Sequence, residues 1–236
     1  DQATFREWNF QTPSLDLQAN EREPDWVKAP APQAMQLESY RFPHLYQIPD
    51  EGTRYAKIEL LRQLTWREWI EGSTDVSRLI PGHLFTLFGH ARPDLNRAWV
   101  VCSTTHAGEQ PTVLENEAPE CRGMSYVASF AAIPAETRFV PAARHAKVRI
   151  DGLQSAIVTV PEGEEVLVDE FGRVKIRFHW DRIGEWDDKT SCWVRVSQGW
   201  AGGEYGAMAI PRIGHEVLVA FMEGDPDRPL IVGRVY

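Results

Sequence analysis

The chain has 236 residues, 43% of them hydrophobic and 25% charged, with a formal net charge of −9. That length carries one large domain or two ordinary ones, each with its own core, and the balance of residue types excludes gross disorder. A net acidic chain argues against a protein whose work is neutralising nucleic-acid phosphates, and no stretch reaches the roughly 18 apolar residues of a membrane-spanning helix.

In chain order, residues 1–36 alternate aromatic and turn-forming segments. Phe5, Trp8 and Phe10 suit a short strand that ends at Pro13-Ser14-Leu15, while Pro24 and Pro30-Ala31-Pro32 keep the following stretch extended or looped. Alternation resumes weakly from Leu37 to Tyr46. Residues 50–64 predict a helix, with Asp50 as N-cap and Ile58, Leu61 and Leu64 as its buried stripe. Strands are expected at Thr65–Ile70, closed by Glu71-Gly72-Ser73, then at His83–Phe88 after the Pro81-Gly82 turn, at Ala98–Thr105 after a turn at Arg92–Asn96, and at Arg122–Phe130. A polar loop is expected from Gly108 to Glu120.

The pattern pauses at Arg138–Arg144, which places a domain boundary near 147 and divides the chain into 1–146 and 147–236. The second part reads as strands at Leu153–Val160, Glu165–Val168, Arg173–Trp180, Cys192–Gln198, His215–Met222 and Pro229–Val235. Arg173–Trp180 is the clearest of these. Val174, Ile176, Phe178 and Trp180 share one face and Arg173, Lys175, Arg177 and His179 the other, a period of two with the apolar face toward a core and the basic face toward solvent or a neighbouring subunit. Five principal strands in about ninety residues fit an oligonucleotide/oligosaccharide-binding (OB) barrel.

Catalytic and metal-binding motifs fail on inspection. His215-Glu216 opens like a zinc-protease signature, but Val219 stands where its second histidine belongs and the following residues are strand-like. Cys102, His106 and Cys121 lack a CxxC pair and a fourth ligand, so reduced, buried thiols are the simpler reading of the three cysteines, Cys192 included. Ser73 and Ser125 sit in no nucleophile elbow, and Gly202–Gly206 lacks the Gly-Lys-Ser/Thr ending of a phosphate loop. The numerous carboxylates lie mostly in turns, where solvation rather than glycoside chemistry accounts for them. A single-stranded nucleic acid would need stacking aromatics on the basic face of Arg173–Trp180, and Phe178 and Trp180 lie opposite. The residues therefore give a mainly β chain with no catalytic, cofactor-binding or metal-binding residue, and a structural or interaction role is expected rather than an enzyme.

The words of the second part are specific. Asp169-Glu-Phe-Gly-Arg-Val-Lys-Ile-Arg-Phe-His-Trp-Asp181, Ser191–Gln198, Trp200-Ala-Gly202, Ile210–Phe221 and Gly224-Asp-Pro-Asp-Arg-Pro229, in this order, resemble the OB region of VgrG, the spike protein family of bacterial type VI secretion systems. Leu37–Pro43, Glu51–Ala56, Pro81–Phe85 and Asp94–Asn96 resemble that family's tail-hub-like region more loosely. His215 departs from the Gln often found there. The resemblance implies a β-barrel-like hub domain with one or two helices, then a five-stranded OB barrel. It implies a homotrimer seated on the Hcp tube, capped by a PAAR-type tip protein and carrying effector proteins, with no nucleic acid, no cofactor and no metal. It further implies synthesis in the bacterial cytoplasm without a signal peptide, export by the secretion system, and mechanical penetration of the target envelope. Asp1 in place of Met, with no needle sequence, is read as a central or C-terminally truncated piece of a longer spike. The alternatives are a stand-alone OB module for nucleic acid or saccharide, or the carrier of a hydrolase or toxin domain lying outside this stretch.

Overall fold

A computed structural model describes residues 1–23, 37–109, 125–161, 163–203 and 205–236. It divides into two compact units, Asp1–Ala142 and Ala143–Tyr236, and is mainly β with one α-helix among the described residues.

The first unit begins with a hairpin of β1 (Gln2–Glu7) and β2 (Leu17–Arg22), joined in parallel by β3 (Glu38–Arg41) on the other side of β1. Ala3, Phe5, Leu17 and Ala19 turn to one face, onto which α1 (Pro49–Thr65) packs with Ala56 and Leu60 buried. Small residues set how near the helix lies. A Cβ added at Gly52 would meet the Tyr46 ring at 2.6 Å and the Ala19 methyl at 3.0 Å. The buried stripe therefore runs through Gly52, Ala56 and Glu59-Leu60, and the expected stripe is corrected: Ile58 is exposed, and Leu61 and Leu64 are half-buried. The expected cap is corrected too. Ile48 is the N-cap without a side-chain bond, and Pro49, Asp50 and Glu51 fill the first turn, where proline tolerates the lost N–H and acids suit the helix dipole.

The helix ends at Thr65, whose Oγ1 lies 2.8 Å from Leu61 O and accepts the Val140 N–H at 3.1 Å, so the strand expected at 65–70 begins only at β4 (Ile70–Thr74). Gly72 belongs inside that strand because the Phe130 ring covers it, leaving a Cβ only 2.7 Å away. A four-stranded antiparallel sheet follows, ordered β4, β7 (Ser125–Pro134), β6 (Ala98–Glu109), β5 (Leu84–Thr86). Its core is Trp99, Val101, Ala128, Ala132 and Ile133, and Trp99 Nε1 donates to Leu95 O at 3.0 Å. Gly108 and Glu109 extend β6 instead of opening the expected loop. The rest of that loop, Arg122–Met124, and the proline-rich stretch at 24–36 lie outside the described residues.

The second unit is a five-stranded sheet in the order β10 (Arg195–Val196), β14 (Pro229–Val235), β13 (Glu216–Phe221), β8 (Gln154–Thr159), β9 (Lys175–Phe178). β10 and β14 are parallel and the other pairs antiparallel. The two outer strands meet through an antiparallel bridge between Val174 and Val194, with N···O distances of 3.0 and 2.9 Å, and the sheet closes on itself. Counting the five strands along the chain, the closed order is 1-2-3-5-4, the OB arrangement. Ala156, Val158, Val174, Ile176, Val194, Val217, Val219 and Ile231 fill the interior. Glu165–Val168 is a connection rather than a strand, and a short hairpin of β11 (Trp200–Ala201) and β12 (Gly206–Ala207) stands between β10 and β13.

Candidate functional site

The residues of β9 show what the barrel does with its chemistry. Val174 and Ile176 are fully buried, as period two predicts. Trp180 is not core: it is 64% exposed, because the strand stops at Phe178, whose carbonyl accepts the Asp181 N–H at 3.1 Å and turns the chain. The indole lies flat on Phe178, with centroids 5.2 Å apart, and donates to Gln154 Oε1 at 3.0 Å.

The basic face is corrected more sharply. Three of its four residues, Arg173, Lys175 and Arg177, are half-buried, each over an aromatic ring and bonded to a neighbouring connection, while His179 is exposed as expected, its Nε2 3.8 Å from Glu216. Arg173 lies over Phe171 and pairs with Asp169 at 2.6 Å. Lys175 lies over Trp193, 4.8 Å from its centroid, and donates to Ser191 O at 2.7 Å. Arg177 lies over Trp186 at 4.5 Å and donates to Asp181 O at 3.0 Å. Burial alone would raise the Asp169 carboxyl, but the Arg173 N–H, the Arg173 guanidinium and the Phe171 N–H together hold it below the usual carboxylate range. Burial, and then the neighbouring Arg173, hold Arg195 below the ordinary guanidinium value. These cation–π and charge-assisted contacts fasten the β8–β9 and β9–β10 connections to the barrel wall. The rings beside the basic face are thus engaged by cations of the barrel itself.

A second fastening lies where the chain enters the barrel. Ile150 N donates to Gly224 O at 2.8 Å, and Lys147 Nζ bridges Asp225 and Asp227 at 2.6 Å each. Both carboxylates stand in the β13–β14 turn, where Glu223 and Gly224 adopt φ of 55° and 72°. No local pattern in the sequence pairs Lys147 with residues some eighty positions later.

The first unit has a different character. Glu7 is 4% exposed, and its carboxylate accepts the N–H groups of Trp8 (2.8 Å), His44 (3.1 Å) and Leu45 (2.6 Å). Tyr46 is fully buried, with its hydroxyl at Phe5 O (3.1 Å) and Leu17 O, and burial followed by the Glu7 charge pushes its pKa up to about 12. Sequence reading missed both; a glutamate at the end of a strand gives no sign of burial. Beside them Arg6, Trp8, Pro13, Leu15, Tyr40 and Phe42 line an open cavity of about 540 Å³. The four-stranded sheet carries a ladder of small hydroxyls, Ser73, Ser129 and Thr105 in register across three strands, lining a second open cavity with Glu71 and Ser103. Its outer strands β4 and β5 each have one strand neighbour among the described residues.

The residues weighed for catalysis are scattered. His215 Nδ1 accepts the Arg212 N–H at 3.4 Å, and Glu216 lies in β13 rather than on a helix. Cys102 is half-buried, and burial pushes its thiol up. His106 contacts Tyr126 OH and Thr104 Oγ1, while Cys121 lies outside the described residues. Cys192 is exposed, contrary to the expectation of a buried thiol. Ser73 and Ser125 lie in β4 and β7, and Gly202–Gly206 spans the β11–β12 hairpin. Among the described residues no group of His, Cys, Asp and Glu is arranged to hold a metal, and no helix is long and apolar enough to cross a membrane.

Comparison with known proteins follows the two units. Residues 1–112 match the phage tail baseplate hub (GPD) family, and residues 157–236 match the type VI secretion system/phage-baseplate injector OB domain family. The type VI secretion system spike protein VgrG4b of Pseudomonas aeruginosa is 41% identical over 99% of this chain, and the actin cross-linking toxin VgrG1 of Vibrio cholerae is 42% identical over 86% of it. The chain spans 29% and 18% of the lengths of these two relatives. Among solved structures, the E. coli c3393 protein, described as a type VI secretion component similar to the T4 phage tail proteins gp27 and gp5, aligns at a TM-score of 0.56. It is 25% identical, with 81% of this chain and 45% of that chain covered.

Proposed function

We propose that this chain, which belongs to the VgrG family of type VI secretion system spike proteins, is a load-bearing and non-enzymatic part of the spike. The observation that carries the reading is the barrel itself. It is closed on its own strands, its interior is filled by buried apolar side chains, and its connections are fastened by ring-covered cations and by the Lys147 bridge. Such a body resists local opening because its outer strands are joined at the Val174–Val194 bridge rather than left as free edges. The preceding hub unit has the opposite property, with outer strands and aromatic surface available to neighbours.

In this reading three copies assemble around one axis, seat on the Hcp tube, carry a PAAR-type tip and loaded effectors, and leave the cell through the secretion system when it fires. Synthesis in the cytoplasm without a signal peptide belongs to the same reading. Catalytic activity, where a longer parent has one, belongs to sequence beyond this stretch.

Four measurements test this reading. Co-sedimentation of the full-length parent with Hcp rings is expected to show stoichiometric binding through the hub unit, and failure to bind overturns the tube-docking role. Muramidase and general hydrolase assays on the present chain are expected to show no turnover, and robust turnover overturns the non-enzymatic role. Light scattering of the chain alone is expected to give a monomer or weak trimer at micromolar concentration. A stable trimer independent of concentration would place the principal trimer contacts within these two units. Salt-sensitive, tight binding of single-stranded DNA in a filter assay would favour the nucleic-acid module instead.

A further inference from the structure

The connection from β3 to α1 is held onto the β1–β2 hairpin by groups of opposite protonation preference. Glu7, buried at the end of β1, accepts the N–H groups of His44 and Leu45, and those bonds hold Leu45 at φ 58°, a conformation that branched residues rarely adopt. The His44 ring lies flat on Phe5, with centroids 3.8 Å apart and 18° between planes, and the Tyr55 and Tyr46 rings stand at 5.4 and 6.5 Å. His44 Nδ1 is buried and has no hydrogen-bond partner among the described residues.

We infer that residues 44–46 form an acid-released latch, in which a neutral His44 docks the β3–α1 connection on the hairpin and protonation of its ring frees the first turns of α1 from the sheet. The inference rests on the hub unit alone and does not depend on the spike assignment.

The chemistry follows from what faces the ring. A neutral imidazole tolerates one bare nitrogen against aromatic carbon, whereas an imidazolium carries an N–H at Nδ1 as well, and the buried Nδ1 has no acceptor among the described residues. Arg41 on β3 adds like charge. Glu59 on α1 attracts a proton, but it is committed to Arg41 at 3.3 Å and to Arg62. Glu7 also attracts a proton, but its oxygens already accept three backbone N–H groups. The Tyr46 hydroxyl is committed to Phe5 O and Leu17 O. Burial is the largest influence and lowers the value, a hydrogen bond with the residue's own backbone raises it, Arg41 lowers it, and Glu59 and Glu7 raise it; the balance holds His44 below its ordinary value of 6.5. A depressed folded-state pKa means that docking is fully stable above the unfolded value and is lost as pH falls through the folded one.

Hydrogen-exchange protection factors in the whole chain, measured between about pH 7.5 and about pH 5 to bracket imidazole titration, test the latch. The first turns of α1 are expected to lose protection several-fold on acidification while β13 and β14 hold theirs. His44→Phe keeps the ring stack without a titrating group and is expected to remove the pH dependence. An identical loss in wild type and H44F overturns the latch, as does transfer of the effect to the carboxylate, seen as its disappearance in Glu7→Gln. If H44F does not fold, NMR titration of His44 in the wild-type chain decides: a pKa at or above the ordinary value overturns the proposal, and one below it supports it.

Discussion

The OB barrel and the hub unit are both β-rich, yet they settle their backbone hydrogen bonds differently. In the barrel each of the five strands has two neighbours, because Val174 and Val194 join the outer pair. In the hub unit β2, β3, β4 and β5 each have one strand neighbour among the described residues, and Trp8, Tyr40 and Phe42 are about half exposed beside them. The same strand chemistry thus yields one body closed on itself and another whose sheets, among the described residues, end in edge strands. Strand edges, more than overall composition, separate the two units.

Substitutions can break or sharpen that contrast. The largest effect is expected inside the barrel. Ile176→Ala removes a fully buried side chain and should cost about 2–5 kcal/mol. Calorimetry of this variant is expected to lower one transition, the barrel's, and leave a hub transition in place; a single shared transition that shifts as a whole would abolish the picture of two self-contained cores. Next comes Gly52→Ala in the hub, where a methyl meets the Tyr46 ring and costs about 1–3 kcal/mol by overpacking. An urea midpoint unchanged by G52A would show that the close approach of helix to sheet is not a constraint.

Lys147→Met should cost about 1 kcal/mol or less, since the ammonium is 43% exposed. Burial works against the Lys147 charge, but Asp225 and Asp227 outweigh it and raise the pKa. The bridge therefore stabilises below the unfolded lysine value and fades as pH rises through the folded one. Asp225 is held below the carboxylate range, and its share is lost as pH falls through its folded pKa. Stability curves of wild type and K147M that converge only at both pH extremes would confirm the bridge, and parallel curves would remove it. The smallest effect is expected for Trp180→Ala, about 1 kcal/mol or less for a stacked but exposed ring. A loss comparable with Ile176→Ala would restore this tryptophan to the core.

Legibility in the sequence followed the physics of each element. Val174 and Ile176 announced their burial because a pleated strand alternates, and five of the six strand segments expected in the second unit contain strands, two of them much shorter than expected. The same alternation misled at Trp180, since periodicity does not record where a strand stops. Helix formers located α1 well, but its buried face was hidden, because Gly52 and Ala56 contribute nearness rather than hydrophobic bulk. β4 was displaced because Gly72 looks like a terminator until the Phe130 ring that requires it is in view. The fastenings of Glu7, Tyr46 and Lys147 join positions 29 to 80 residues apart, and no local window contains both partners.

The seam at Val174 and Val194 has a mechanical meaning of its own. Tension around the circumference of a tube is borne in series by every junction, so the barrel is as strong in that direction as its narrowest joint. Here that joint is a single rung of two hydrogen bonds, while β13 and β14 share a ladder along six residue pairs. Both seam valines are sealed from solvent, so water has no ready route to compete for those two bonds. Under lateral expansion the wall should part first along this line.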